Sequence, residues 1–216
     1  MKNINAVIFD MDGIIVDSEP WQMKAFNLTL KPFNISLSEE DFIKLIGIRS
    51  IENFKQLKKK YNLPVSAEEL TETKNNYYKT ILKNEIKPRE GLIELLNFLF
   101  KNSYKIAVAS GSIKKDVIDT LELLDIKHFF RVILSGDDVK EGKPDPEIFI
   151  KTADKLKIPY NECLVIEDSQ TGVYAANAAG MQVIAIPTHY TQNHNFSKAV
   201  KVLKSLKEVI PFLKQN

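Results

Sequence analysis

The sequence predicts an α/β fold: a Rossmann-like parallel sheet in a three-layer α/β/α core, with an inserted all-helical cap domain. Short, continuous apolar runs predict buried strands, and helical patterns alternate with most of them along the chain. The first two runs lie much farther apart than a compact strand–helix–strand unit requires, and this gap predicts the insertion.

Five short apolar runs are the predicted strands. Each is rich in valine and isoleucine and is continuous rather than alternating, as in a strand covered on both faces. The runs are Ile4–Phe9, Lys105–Ser110, Arg131–Leu134, Cys163–Ile166 and Gln182–Ile186. Because helices separate the later runs, we expect right-handed crossovers and a parallel sheet.

Helical patterns accompany the later strands. Glu90–Phe100 and Val117–Leu124 carry apolar residues at helical spacing. Asp145–Leu156 opens with a capping residue and a proline, and Gly172–Ala179 ends at a glycine. At the C-terminus, lysines spaced three apart lie opposite apolar residues, which predicts an amphipathic surface helix over residues 198–207.

The long segment between the first two strands shows no strand pattern. Its periodicity predicts four helices: Trp21–Leu30, Ser38–Leu45, Ser50–Tyr61 and Ala67–Leu82. Two of them begin at serines that are followed three residues later by an acid, as in a capping box. We therefore expect a core of residues 1–17 and 88–216 and a helical cap of residues 18–87.

Composition excludes several functional classes. The 216 residues include 30 basic and 28 acidic ones, so overall charge gives no reason to expect a nucleic-acid or membrane partner. The single cysteine, Cys163, excludes an internal disulfide and a cysteine-built zinc site. The first apolar run is too short for a signal sequence or a membrane span. We expect a cytoplasmic monomer.

Polar residues follow the predicted strands at their carboxyl ends, where open parallel sheets bind ligands. These residues are Asp10 and Asp12, Ser110–Ser112, Asp137 and Asp138, Lys143, and Glu167–Ser169. So many carboxylates would repel one another unless a cation lay among them. Oxygen ligands without histidine or cysteine favour magnesium, and the hydroxyls and the lysine remain free to bind phosphate.

Taken singly, these residues have ordinary structural explanations. An aspartate after a strand often caps a turn, Ser110 fits a turn hydroxyl, and Lys143 fits a surface lysine. Lys143, however, lies between Gly142 and Pro144 at the same edge as the acids. The convergence of all these groups on one edge favours a functional site.

Four segments, in order, resemble the four motifs of the haloacid dehalogenase superfamily: Phe9–Ser18, Val108–Ser112, Gly142–Phe149 and Glu167–Val173. The helical insertion is similar to the cap of the branch that contains phosphosugar phosphatases and β-phosphoglucomutase. The resemblance implies a magnesium-dependent phosphatase that acts on a small phosphorylated metabolite, a sugar phosphate, through an aspartyl-phosphate intermediate.

The resemblance implies catalytic roles for two acids. Asp10 would be the nucleophile, and Asp12 would be the general acid for the leaving alcohol and then the general base for water. The dehalogenases that name the superfamily lack an acid two residues after the nucleophile and need no metal. Asp12 therefore favours phosphoryl transfer.

The resemblance also implies binding roles. The magnesium ligands would be Asp10, Asp12, Glu167 and Asp168, with Glu167 in direct contact or in the outer shell. Ser110, Gly111 and Lys143 would bind the phosphoryl group. Arg49 of the cap would contact the substrate, and we also consider Trp21 and Lys74 there, although packing or exposure explains these residues equally well.

A β-phosphoglucomutase is the alternative that shares every core residue. The mutase pattern has a histidine where this chain has Gln22, a lysine where it has Ile113, and its cap arginine one position after Arg49. A mutase must hold a second phosphate, so the missing basic residues favour a phosphatase. A distant alternative is a non-catalytic switch with a phosphorylated aspartate and bound magnesium, but such receiver domains are shorter and lack the insertion.

Overall fold

The computed structural model describes residues 4–215, apart from the side chains of residues 82–85. The ends of the predicted core, residues 1–3 and 216, lie outside the described residues. Six parallel strands form one sheet: β1 (Ala6–Phe9), β2 (Lys105–Ala109), β3 (Val132–Leu134), β4 (Cys163–Glu167), β5 (Gln182–Ala185) and β6 (Lys201–Val202). The order across the sheet is β3-β2-β1-β4-β5-β6.

The helices of the described chain separate into an inserted set and a sheet-covering set. The inserted set is α1 (Glu19–Leu30), α2 (Glu39–Ile43), α3 (Ser50–Tyr61) and α4 (Ala67–Glu85). The sheet-covering set is α5 (Leu92–Lys101), α6 (Lys114–Leu123), α7 (Glu147–Leu156), α8 (Gln170–Ala178) and α9 (Val209–Lys214). Within residues 4–215, no helix combines the length and the apolar character that a membrane crossing requires.

The register of the sheet aligns the strand ends that carry the polar residues. Phe9 at the end of β1 pairs with Val108 of β2 on one side and with Ile166 of β4 on the other. The chain order reverses at β1, so a crevice opens beyond its carboxyl end. The residues that follow β1, β2 and β4 therefore meet at the same place.

Two apolar layers cover the sheet, as the continuous apolar strands predict. One layer packs Leu95, Leu96 and Leu99 of α5 against β1 and β2, and all three are fully buried. The other packs residues of α7 and α8, including Phe149, against the opposite face. Burial on both faces explains why the strand sequences do not alternate.

The inserted helices have an apolar core of their own. Phe26 of α1 stacks on Phe54 of α3 with their ring centroids 4.9 Å apart, and Phe42 of α2 meets Phe26 edge to face. The insertion leaves and rejoins the sheet through adjacent chain segments, because Val16 and Pro88 form an antiparallel bridge. The four inserted helices and the four core helices predicted between the strands are confirmed.

The C-terminal prediction is wrong. Residues 198–207 do not form an amphipathic helix: the chain adds β6 to the sheet and continues into a 3-10 turn over Leu206–Glu208. Without β6, the edge of β5 would leave backbone carbonyls unpaired. The N–H groups of Val200 and Leu203 fill this need by donating to Val183 O and Ala185 O at 2.8 and 2.9 Å. These hydrogen bonds and the burial of Leu206 outweigh the helical pattern of the lysines.

We expect Leu96→Ala to lower the free energy of unfolding by about 2–5 kcal/mol, because it leaves a cavity under the sheet. The matched control is Ile93→Ala on the same helix, where the side chain is 41% exposed, and we expect it to cost no more than about 1 kcal/mol. Urea unfolding followed by circular dichroism measures both. Equal losses for the two variants would contradict the assigned packing of α5.

Candidate active site

Three buried carboxylates form the centre of the site. Asp10 follows β1, Glu167 ends β4 and Asp168 follows it, and each has an oxygen within 4.8 Å of an oxygen of the other two. The N–H of Asp10 donates to Ile166 O at 3.0 Å, so the sheet itself fixes the position of Asp10. The exposed fractions are only 7%, 1% and 3%.

Lys143 lies against this cluster. Its Nζ donates to Asp10 Oδ1 at 2.5 Å, to Glu167 Oε1 at 2.6 Å and to the carbonyl of Ala109 at 3.1 Å. Burial alone would lower the pKa of Lys143, but attraction to the two carboxylates outweighs it and raises the pKa above the ordinary value. The ammonium therefore stays charged and neutralises part of the acidic cluster.

Glu167 is held by the start of α8. Its Oε2 accepts hydrogen bonds from the N–H groups of Asp168 and Ser169, both at 3.0 Å, and from Ser169 Oγ at 2.9 Å. Ser169 in turn caps α8, because its Oγ accepts from the N–H of Gly172 at 3.1 Å. The helix cap and the site are thus one hydrogen-bonded unit.

The acids of the cluster repel one another. Burial raises the pKa of Asp10 well above its ordinary value, with Glu167 and Asp12 adding to the rise and Lys143 opposing it. Burial likewise raises the pKa of Asp168, with Glu19, Glu167 and Asp10 adding to the rise. A divalent cation among these oxygens would relieve both effects, and an all-oxygen donor set suits magnesium. The residues present therefore fit a magnesium ion.

Asp12 lies beside the cluster but its carboxyl group is bound elsewhere. Oδ1 accepts from Ser18 Oγ at 2.6 Å and from Gln22 Nε2 at 3.3 Å, and Oδ2 accepts from Ser112 Oγ at 2.9 Å. Ser18 and Gln22 belong to the start of the insertion, whereas Ser112 follows β2. The orientation of this acid thus depends on both parts of the chain.

The residues after β2 form the wall next to Asp12. Gly111 is exposed, and a Cβ built on it would meet nothing within 4 Å, so its backbone is open to a ligand. Ser110 is fully buried, and its Oγ accepts from the N–H of Ser112 at 3.1 Å. In this arrangement Gly111 and Ser112, rather than Ser110, line the cavity.

A cavity of about 790 Å³, part of it open to solvent, lies over the cluster. Its floor is the acidic cluster with Lys143, and its roof is built from the inserted helices. The apolar part of the roof is formed by Phe26, Phe42, Leu45, Ile46 and Ile48. A ligand in this space would be enclosed between a charged floor and a largely apolar roof.

The three predicted cap residues lie in different places. Arg49 lines the cavity, and its side chain packs on Gly142 next to Lys143. Its Nε is buried and has no hydrogen-bond partner within the described part of the chain. Lys74 is buried in an adjoining cavity, where its Nζ donates to Ser50 Oγ at 3.3 Å, and burial lowers its pKa to about 8. Trp21 packs by Ala25 and Tyr78 and lines a separate hollow beside residues 86–90.

Two of the acids predicted at this edge of the sheet only stabilise nearby turns and helix starts. Asp137 Oδ2 accepts from the N–H of Lys114 at 2.7 Å at the start of α6. Asp138 Oδ2 accepts from the N–H and the hydroxyl of Ser135, at 2.9 and 2.8 Å, and so completes a capping box. The simple turn-capping explanation is right for this pair, and the structure does not bring them into the cluster.

The sequence prediction gave no site role to Glu19 or Gln22, which the structure brings into the site. An acid at the start of a helix is ordinary, so Glu19 gave no distinct signal. In the structure it is 3% exposed, and burial raises its pKa to about 8. The contact of Gln22 with Asp12 depends on how α1 lies over the sheet, which periodicity does not reveal.

Residues 7–186 match the haloacid dehalogenase-like hydrolase family. The chain is 34% identical to a haloacid dehalogenase-like hydrolase domain-containing protein of Arabidopsis thaliana, over 97% of this chain and 76% of that protein. It is 29% identical to a phosphorylated carbohydrates phosphatase of Thermotoga maritima, over 96% of this chain and all of that protein.

A solved structure has the same fold. The β-phosphoglucomutase of Clostridium difficile superposes with a TM-score of 0.86 at 27% identity, covering 98% of this chain and 96% of that one. The predicted fold class, a Rossmann-like parallel sheet carrying inserted helices, is thereby confirmed.

We expect Gly172→Ala to destabilise the protein, against the usual effect of this substitution. A Cβ at Gly172 would lie 1.8 Å from Glu167 Oε1, so Glu167 must leave its hydrogen bonds. In a helix without such a clash, alanine would stabilise by about 0.5–1 kcal/mol relative to glycine. Urea unfolding gives the sign, and a more stable variant would contradict the assigned position of Glu167.

Proposed function

The chain belongs to the haloacid dehalogenase-like hydrolase family, and we propose that it is a magnesium-dependent phosphatase of a small sugar phosphate. The proposal rests on the residues that lie together at the floor of the cavity. An aspartate that follows β1, a lysine bonded to it, and further acids are buried together there. The name of the Thermotoga maritima relative, a phosphorylated carbohydrates phosphatase, supports the same substrate class.

The cation-binding residues of the proposal are Asp10, Glu167 and Asp168, together with the backbone carbonyl of Asp12. The carboxyl group of Asp12 is already engaged by Ser18, Gln22 and Ser112. When bound, magnesium would neutralise negative charge on the phosphoryl oxygens and on the attacking carboxylate.

Asp10 is the nucleophile of the proposed reaction. Its carboxylate attacks phosphorus, an aspartyl-phosphate bond forms, and the bond from phosphorus to the sugar oxygen breaks. Lys143, bonded to Asp10 Oδ1, is placed to pair with a phosphoryl oxygen, and the backbone N–H of Gly111 is a further donor at the same wall. Water then cleaves the aspartyl-phosphate and releases inorganic phosphate.

Asp12 moves the protons. It gives a proton to the departing sugar oxygen in the first step and takes one from the attacking water in the second, so it ends as it began. Its hydrogen bonds to Ser18, Gln22 and Ser112 hold the carboxyl group at the edge of the cavity. Because two of these partners lie at the start of the insertion, proton transfer depends on the placement of α1.

The insertion is the substrate-selecting part of the proposal. Residues 18–87 act as a cap over the core of residues 1–17 and 88–216, and they move about connections near Asp17 and Lys87. Closure excludes water from the leaving group, and opening releases the product. Arg49, with an unpartnered Nε over the cavity, is the cap residue that contacts the substrate.

A mutase is the second candidate, favoured by the similarity to the Clostridium difficile β-phosphoglucomutase. The lack of available basic residues to bind a second phosphate argues against a mutase. Lys114, one position after the mutase lysine, donates to Asp138 Oδ2 at 3.1 Å and to Ile133 O at 3.2 Å, and so is engaged beside β3. Ile113 occupies the mutase position itself and lies immediately before α6.

We expect Asp10→Asn to lower the turnover of p-nitrophenyl phosphate by about 1,000-fold or more, because it removes the nucleophile. Chelation of magnesium with EDTA should abolish the wild-type activity, and added magnesium should restore it. The matched control is Asp137→Asn, another acid that follows a strand but lies outside the cluster, and it should stay near wild type. Near wild-type turnover by Asp10→Asn would refute the mechanism.

A panel of phosphosugars separates the two candidate activities. We expect magnesium-dependent release of inorganic phosphate from at least one sugar phosphate, measured by a colorimetric phosphate assay. β-Glucose 1-phosphate is included and its products are separated by chromatography, and we expect no glucose 6-phosphate. Conversion to glucose 6-phosphate without loss of phosphate would establish the mutase instead.

A further inference from the structure

Glu19 is a buried acid to which the proposed mechanism gives no role. It is the first residue of α1, 3% of it is exposed, and its side chain lines the cavity over the cluster. Oε1 lies 3.5 Å from Thr188 Oγ1, whereas Oε2 is buried and has no hydrogen-bond partner among the residues that the structure describes. A buried carboxylate oxygen with no partner is costly, so its retention needs an explanation.

Gly13 brings Glu19 next to Asp168. A Cβ built on Gly13 would lie 2.4 Å from Asp168 Oδ2 and 2.7 Å from Glu19 Oε1, so both carboxylates rest on the same bare face of the glycine. The glycine has φ +82°. Its N–H donates to Val16 O at 2.8 Å and its carbonyl accepts from the Arg89 guanidinium. The backbone of Gly13, against which the two acids rest, is therefore held by hydrogen bonds at both its N–H and its carbonyl.

Two threonines connect the same acids from the loop after β5. Thr191 Oγ1 lies 3.4 Å from Asp168 Oδ2 and 3.2 Å from Thr188 Oγ1, which in turn faces Glu19. Thr191 is fully buried, and its hydroxyl also accepts from the N–H of Thr188 at 2.8 Å. Glu19 is thus fixed relative to Asp168 although it begins an inserted helix.

We propose that Glu19 is a positioning residue that supports Asp168 for the divalent cation, so that cation affinity depends on where α1 lies. The proposal rests on the cation of the proposed function. Glu19 keeps Asp168 turned toward Asp10 and Glu167. Moving α1 away removes this support.

A neutral isostere tests this positioning role. Glu19→Gln keeps the shape of the side chain but replaces its carboxyl group by an amide. We expect it to raise the dissociation constant for Mn²⁺, titrated by electron paramagnetic resonance without substrate, by about 10–100-fold. The matched control is Glu39→Gln on α2, an exposed acid that bonds His189 of the same loop at 2.9 Å, and it should bind Mn²⁺ as wild type does.

A merely structural role for Glu19 predicts a different result. In that case Glu19→Gln changes the melting temperature in EDTA but leaves the Mn²⁺ dissociation constant within about threefold of wild type, and that outcome overturns the proposal. If Glu19→Gln does not fold, Glu19→Asp decides, because it keeps the carboxyl group but draws it back by one methylene. Weaker Mn²⁺ binding by Glu19→Asp supports the positioning role, and unchanged binding overturns it.

The wild-type protein separates this inference from the proposed function. If wild type binds Mn²⁺ and Glu19→Gln binds it equally, only the positioning role is lost. If wild type binds no Mn²⁺ and hydrolyses phosphate esters fully in EDTA, the magnesium-dependent mechanism is lost, and this inference with it.

Discussion

The burial of like charges at the end of β1 is the constraint on which the rest of the structure depends. Asp10 and Glu167 are both nearly inaccessible, and Lys143 lies between them with bonds of 2.5 and 2.6 Å. Removing one partner of a buried ion pair typically costs about 3–5 kcal/mol, so the three groups must be brought together as a unit. Parallel strands in register, a rigid loop that carries the lysine and a helix start that binds Glu167 all serve this requirement.

The inserted helices complete the site as well as covering it. Asp12 is bonded by Ser112 from the core and by Ser18 and Gln22 from the start of the insertion. The core holds the groups that would act on phosphorus, and the boundary between core and insertion orients the group that would move protons. In the proposed reaction, attack on phosphorus and protonation of the leaving group would therefore depend on different parts of the chain.

The sequence predicted the fold and the central acids because both leave local signals. Continuous apolar runs predict strands that are covered on both faces of a sheet, and Asp10, Glu167 and Asp168 directly follow those runs. It missed Glu19 because an acid in a first helical turn is ordinary until its burial is known. It failed over residues 198–207 because the open edge of β5, a partner distant in sequence, decides the conformation there. Local patterns carry no information on such pairings.

The bridge between Val16 and Pro88 has a consequence for how such a protein can change. The insertion departs from the sheet and returns to it through two adjacent chain segments, so its ends remain together whatever its length. A longer, shorter or differently folded insertion would leave the register of β1 and β2 untouched. New specificities can therefore arise by exchange of a whole module while the buried acidic floor with Lys143 is inherited intact. The residues at the junction, such as Gln22, are the ones that an exchanged module would have to supply again.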